Sequence, residues 1–179
     1  MVKAILNDKM IQELRALKGD FLENIEGMVD EDRAFGNIRI NTTQSSIELE
    51  CTPKTEKYFD KTEDICYFSC ILVNRRKKFI PYLRKRTKKK IINEKIEGIA
   101  LIRAIIELPK YKYAIEIDQA IEIKTSNNTI IFFNQECFTE GIQISMNCLL
   151  DDIYPISKVV EFWGENSEQA IVKRSVIEL

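Results

Sequence analysis

Residues 64–74 read DICYFSCILVN. In an extended chain Cys66, Phe68, Cys70 and Leu72 project to one side and Ile65, Tyr67, Ile71 and Val73 to the other. A strand apolar on both faces has to be covered on both. Eight more segments share its period of two or its β-branched density: Asn37–Thr42, Ser46–Thr52, Ile96–Leu108, Tyr113–Thr125, Thr129–Asn134, Gly141–Met146, Lys158–Trp163 and Ala170–Glu178. The Thr-Ser-Asn-Asn-Thr run 125–129 is a hairpin signal, because Asn tolerates positive φ. Residues 42–46 read similarly, and Ile38–Leu49 echoes Ile121–Phe132 at an offset of 83. Two hairpins share that much pattern, so no second domain is inferred.

The cover for one face is expected from the N-terminus. Leu6, Met10, Leu14, Leu17, Phe21, Ile25 and Met28 recur in steps of three and four, which keeps one stripe on one side of a helix. Asn7 or Asp8 serves as its cap, Gly19 as a break, and Asp20 with Glu23 as a restart. The fold expected is α+β in a single domain, 1–179. One N-terminal helix or two short ones over 1–34 pack on a mainly antiparallel β-sandwich or partly open barrel over 36–179. A coiled-coil use of the stripe is the weaker alternative.

Immediately after the diagnostic strand the charge changes. Residues 75–95 hold 11 of the 27 Lys and Arg side chains and a single acid, Glu94, for a net +10. The remaining residues carry −11, so the overall −1 conceals a strongly dipolar chain. As a helix, this segment would set Arg84 against Lys88, Lys85 against Lys89 and Arg86 against Lys90, all repulsive. A basic hairpin insertion over 75–95 is therefore expected, its arms extending strands 64–74 and 96–108. Its partner-binding residues are Arg75, Arg76, Lys77, Lys78, Arg84, Lys85, Arg86, Lys88, Lys89 and Lys90 for charge, with Phe79, Tyr82 and Leu83 for apolar contact. Such a field attracts an acidic protein surface, a second copy of this dipolar chain, or nucleic acid. In the last case the cations would meet phosphates, and Phe79 and Tyr82 would stack on bases. An anionic membrane surface is disfavoured, since no strong apolar wedge accompanies the charge.

The chain has no His, which removes His-dependent bases, Ser-His and Cys-His pairs and His-ligated metals. Its five cysteines lie at 51, 66, 70, 137 and 148 without a CxxC pair, which argues against zinc and for buried thiols in a reducing cytoplasm. Cys66 and Cys70 lie roughly 13 Å apart on one strand and cannot pair with each other. Glu116 with Asp118, and Glu48 with Glu50, share strand faces as carboxylate pairs do in general acid–base or divalent-cation sites. Alternation with Ile and Leu assigns them to solvent faces instead. Asp151 and Asp152 read as turn residues. No GxxxxGK[ST], GxGxxG or Ser-x-x-Lys pattern occurs. No apolar run reaches the length of a membrane span, and no secretory leader is read at the N-terminus. The abundance of Ile, Lys and Asn fits an AT-rich, bacterial coding genome. The expectation is a non-catalytic cytoplasmic interaction protein without cofactor, metal or small-molecule substrate. A nucleic-acid-binding module is the alternative.

Overall fold

In a computed structural model, residues 1–58, 61–82, 87–134, 137–164 and 170–179 are described. The strands are β1 (Val2–Ala4), β2 (Phe21–Met28), β3 (Arg33–Thr42), β4 (Ser46–Tyr58), β5 (Lys61–Val73), β6 (Lys88–Leu108), β7 (Tyr113–Thr125), β8 (Thr129–Phe133), β9 (Gly141–Met146) and β10 (Ile171–Glu178). The helices are α1 (Asp8–Arg15), α2 (Leu150–Ile153) and α3 (Ile156–Trp163). All ten strands belong to one mixed sheet, in which β1 joins β7 in parallel and the other pairings are antiparallel. Pairings β6–β7, β7–β8, β8–β9, β9–β3, β3–β2 and β2–β6 return to their starting strand. The β4–β5 hairpin branches from β3, and β10 lies along β6 beyond β2.

The long N-terminal helix is corrected. Asn7 caps α1 by accepting from the Met10 N–H at 3.0 Å, but the helix stops at Arg15. Gly19 follows at φ +91°, and residues 21–28 are strand β2. The register of β2 shifts between Leu22 and Asn24 and again between Glu26 and Met28. Each β-bulge adds one residue, so the inward side chains Leu22, Ile25 and Met28 fall three apart. A twice-bulged strand thus imitates helical spacing, while Phe21 of the supposed stripe is exposed.

A bulge in β7 decides where the core sits. Ile102 faces Ala120 and Arg103 faces Asp118, leaving Gln119 as the extra residue on β7. Beyond it the faces exchange. Ile121 and Ile123 join a core with Ile25, Ile40, Leu49 and Phe132, whereas Ile115 and Ile117 join another with Ile106, Val159 and Trp163. Residues 158–163 are not a strand. Pro155 sets an extended residue at the start of α3, and Val159 and Trp163, four apart, bury one helical face on the second core. Asp151 and Asp152 lie in α2, where Asp151 pairs with the Arg174 guanidinium.

The offset-83 echo is one of turn chemistry. In one hairpin the Thr42 hydroxyl accepts from the Ser45 N–H, and in the other the Thr125 hydroxyl accepts from the Asn128 N–H. A carboxylate from a neighbouring segment closes each turn, Asp20, just before β2, on Thr42 and Glu94 of β6 on Thr125, both at 2.5 Å. Burial opposes the charge on Asp20. Hydrogen bonds from Thr42, Thr43 and the Gln44 and Phe21 N–H groups outweigh it and hold the carboxyl below its usual range. The Thr125 hydroxyl leads the same effect at Glu94.

Candidate functional site

The basic segment is not a hairpin extension. β5 pairs with β4 along its whole length, and Lys88–Lys95 pair with β2, so the two expected arms never meet. Residues 74–82 instead form a strap across β2 and β3. Register places Glu48, Arg39, Glu26 and Lys89 side by side on four successive strands, alternating in sign. Arg39 pairs with Glu48, and Lys89 reaches Glu26 at 3.1 Å. Opposite charges directly across a sheet are mutually stabilising.

The strap is tied down over this row. Arg75 meets Glu23 at 2.6 Å and also donates to the Thr43 carbonyl. Arg39 Nη1 donates to the Lys77 carbonyl at 2.5 Å. The Asn37 side chain donates to the Ile80 carbonyl at 3.2 Å and accepts from the Tyr82 N–H at 2.7 Å. Two glycines seat the rings. Gly27, a bulge residue at φ +102°, leaves room for Phe79, whose ring atoms would lie 3.0 Å from an added Cβ. At Gly36, φ +74°, an added Cβ would lie 2.5 Å from Tyr82 Cγ. Phe79 covers the Arg39 guanidinium with its centroid 5.1 Å from Cζ, so it is occupied rather than offered to a base. Tyr82 remains 59% exposed, and the neighbouring Glu140 carboxylate raises its phenol.

Of the predicted cations, Arg75 and Lys89 are neutralised by β2. Arg76, Lys77, Lys78, Lys88 and Lys90 make no ion pair among the described residues. They border two adjoining grooves that share Lys89. One, of about 360 Å³, is lined by Arg39, Arg76, Lys77 and Lys78 with Glu23 and Glu26. The other, of about 320 Å³, is lined by Lys88 and Lys90 with Asp30 and Glu31. Leu83, Arg84, Lys85 and Arg86 lie outside the described residues. Arg39, Asn37, Gly27 and Gly36 escaped the sequence reading. Their signal was a lone Arg in an apolar strand and glycines within strands, which often mark bulges or close backbone approach.

The carboxylate pairs stay together, Glu116 and Asp118 both on Arg103. Asp118 is buried, not on a solvent face: Arg103 grips it at 2.7 and 3.2 Å, and the Leu6 N–H donates to it at 2.8 Å. The bonds that Arg103 donates to Asp118 lead in raising its guanidinium. Glu116 lies 3.5 Å from Arg103 and 3.4 Å from Lys3. Burial and then the Glu48 charge push the Glu50 carboxyl up. No group of three or more His, Cys, Asp or Glu suited to a metal occurs among the described residues. Cys66 and Cys70 do share the first core, as the spacing implied. The pairing that sequence did not show is Cys51 with Cys66. The Cys66 thiol beside it, followed by burial, pushes the Cys51 thiol up.

Comparison with protein families, curated proteins and solved structures finds no match. The geometry therefore carries the functional argument alone. Among the described residues no helix is long and apolar enough to cross a membrane. What the strap region offers chemically is a set of uncompensated cations held on a pinned segment, above a buried guanidinium.

Proposed function

We propose that this chain is a non-catalytic binding protein whose basic strap and the first residues of β6 engage an acidic protein surface. One observation carries this reading. Arg75 and Lys89 are compensated internally, whereas Arg76, Lys77, Lys78, Lys88 and Lys90 are not, and all five border adjoining grooves. Cations anchored through backbone and neighbouring side chains lose less entropy on binding than cations on a free loop. The closed circuit of six pairings, read as a barrel-like body, supplies the rigid platform. The thiols, all free, suit a reducing cytoplasm. A second copy presenting its own acidic body is one form of the partner.

Nucleic acid is the second reading, favoured by the density of Lys and Arg. Against it, Phe79 is already stacked, and Asp30 and Glu31 interrupt the track a polyphosphate would follow. Fluorescence anisotropy with polyglutamate and with single-stranded DNA and RNA of matched charge separates the two. Polyglutamate is expected to bind at low salt and to be lost on replacing Arg76, Lys77, Lys78, Lys88 and Lys90 with Gln. Tighter binding of the nucleic acids, weakening steeply with salt, would transfer the assignment to them. Undiminished polyglutamate binding by the neutralised protein would end the proposal.

A further inference from the structure

We propose that the groove above Arg39 is a discrete site for the dianionic phosphate group of a phosphate monoester. Arg39 is 3% exposed, yet its Nε–H has no hydrogen-bond partner. Its other two nitrogens are committed, Nη1 to the Lys77 carbonyl and Nη2 to Glu48. A buried, charged donor left unmatched is costly unless something meets it. Arg39 also lines the groove of about 360 Å³, which is ample for one phosphate.

The charge around that donor selects the ligand. The acids on the groove are already used, Glu23 by Arg75 at 2.6 Å and Glu26 by Lys89 at 3.1 Å. Arg76, Lys77 and Lys78 line the same groove without an ion pair among the described residues. Their combined charge suits a dianion better than a single carboxylate. A phosphate also offers several acceptor oxygens, enough for the Nε–H and the flexible cations together. Phe79 shields one side of the guanidinium, which lowers the local dielectric and strengthens the interaction. The phosphate site is independent of an acidic protein partner, because it involves one group in one groove.

The test is an NMR titration of the whole protein at pH 7, where a monoester with a second pKa of about 6 is mostly dianionic. The probes are inorganic phosphate and methyl phosphate, with sodium chloride at matched ionic strength. The Arg39 Nε–H resonance should move saturably with both phosphates and not with chloride. The exposed double variant R76Q/K78Q should bind about tenfold more weakly, two like charges having been removed from beside a dianion. K88Q/K90Q, which alters the adjoining groove, should retain full phosphate affinity while losing affinity for polyglutamate. Failure of the unmodified protein to bind polyglutamate, with its phosphate binding intact, would overturn the partner assignment alone. An Arg39 resonance that does not saturate, that responds equally to chloride, or that is unaffected by R76Q/K78Q would overturn the phosphate site. Binding of inorganic phosphate without methyl phosphate would overturn the monoester.

Discussion

Replacing Asp118 with Ala should be among the most damaging single changes in this protein. The carboxylate is 1% exposed and receives two bonds from Arg103, at 2.7 and 3.2 Å, and one from the Leu6 N–H, at 2.8 Å. Arg103 itself is only 17% exposed. Removing one member of a buried pair typically costs about 3–5 kcal/mol, because the other charge remains in place. Glu116, at 3.5 Å, offsets part of that loss. The stranded Leu6 N–H adds about 1–3 kcal/mol. A net cost of about 4 kcal/mol follows, which for a chain of this size lowers Tm by roughly 8–16 °C. Urea unfolding followed by circular dichroism and by the fluorescence of Trp163 measures it. Asp118→Asn keeps an acceptor for Leu6 and should cost less. The double variant Asp118→Ala with Arg103→Met removes both charges and should be no less stable than Asp118→Ala alone, giving a coupling of about 2 kcal/mol or more in the cycle with the single variant Arg103→Met. A cost below about 1 kcal/mol for Asp118→Ala, or additive effects in the cycle, would refute the reasoning.

Two other outcomes are expected. The carboxyls of Asp20 and Glu94 are held low in the folded chain, so their stabilisation is complete above their unfolded pKa values, near 4, and disappears as pH falls through the lower folded values. Thermal melts should therefore show a gap between wild type and D20A/E94A at pH 7 that closes towards pH 2; a gap independent of pH would contradict this. Four of the five cysteines are buried, and Cys70 is pushed up to about 12 by burial and then by Glu13. A thiol reagent should label Cys148 quickly and the rest only on unfolding, so persistence of a fast thiol in C148S would count against the packing described.

Strands could be anticipated wherever pairing alternates without interruption. Gly141–Met146 keeps its predicted ends, and Asn7 caps α1 as its position suggested. Interruption is what defeated the pattern. Bulges in β2 turned a period of two into spacings of three, which read as helix. Asp118 keeps the face it shares with Glu116, but Arg103 from β6 and the Leu6 N–H close over it, which the alternation of β7 alone does not show. Residues 158–163 carry enough β-branched and aromatic side chains to read as strand, until packing on the second core favours the helical face of Val159 and Trp163.

The charge of the basic segment is a property of sequence alone, since composition sums whatever the chain does. So are the exclusion of His chemistry and the predominance of strands. Where that charge lies is a tertiary matter. Local repulsion argued for a projecting hairpin, yet Glu23 on β2, the side chains of Asn37 and Arg39 on β3, and space above Gly27 draw residues 74–82 down as a strap. Those partners lie some 40 to 60 positions away in the chain. Only folding sets them opposite the strap, and only the folded register buries Arg39 beneath it with one N–H unmatched.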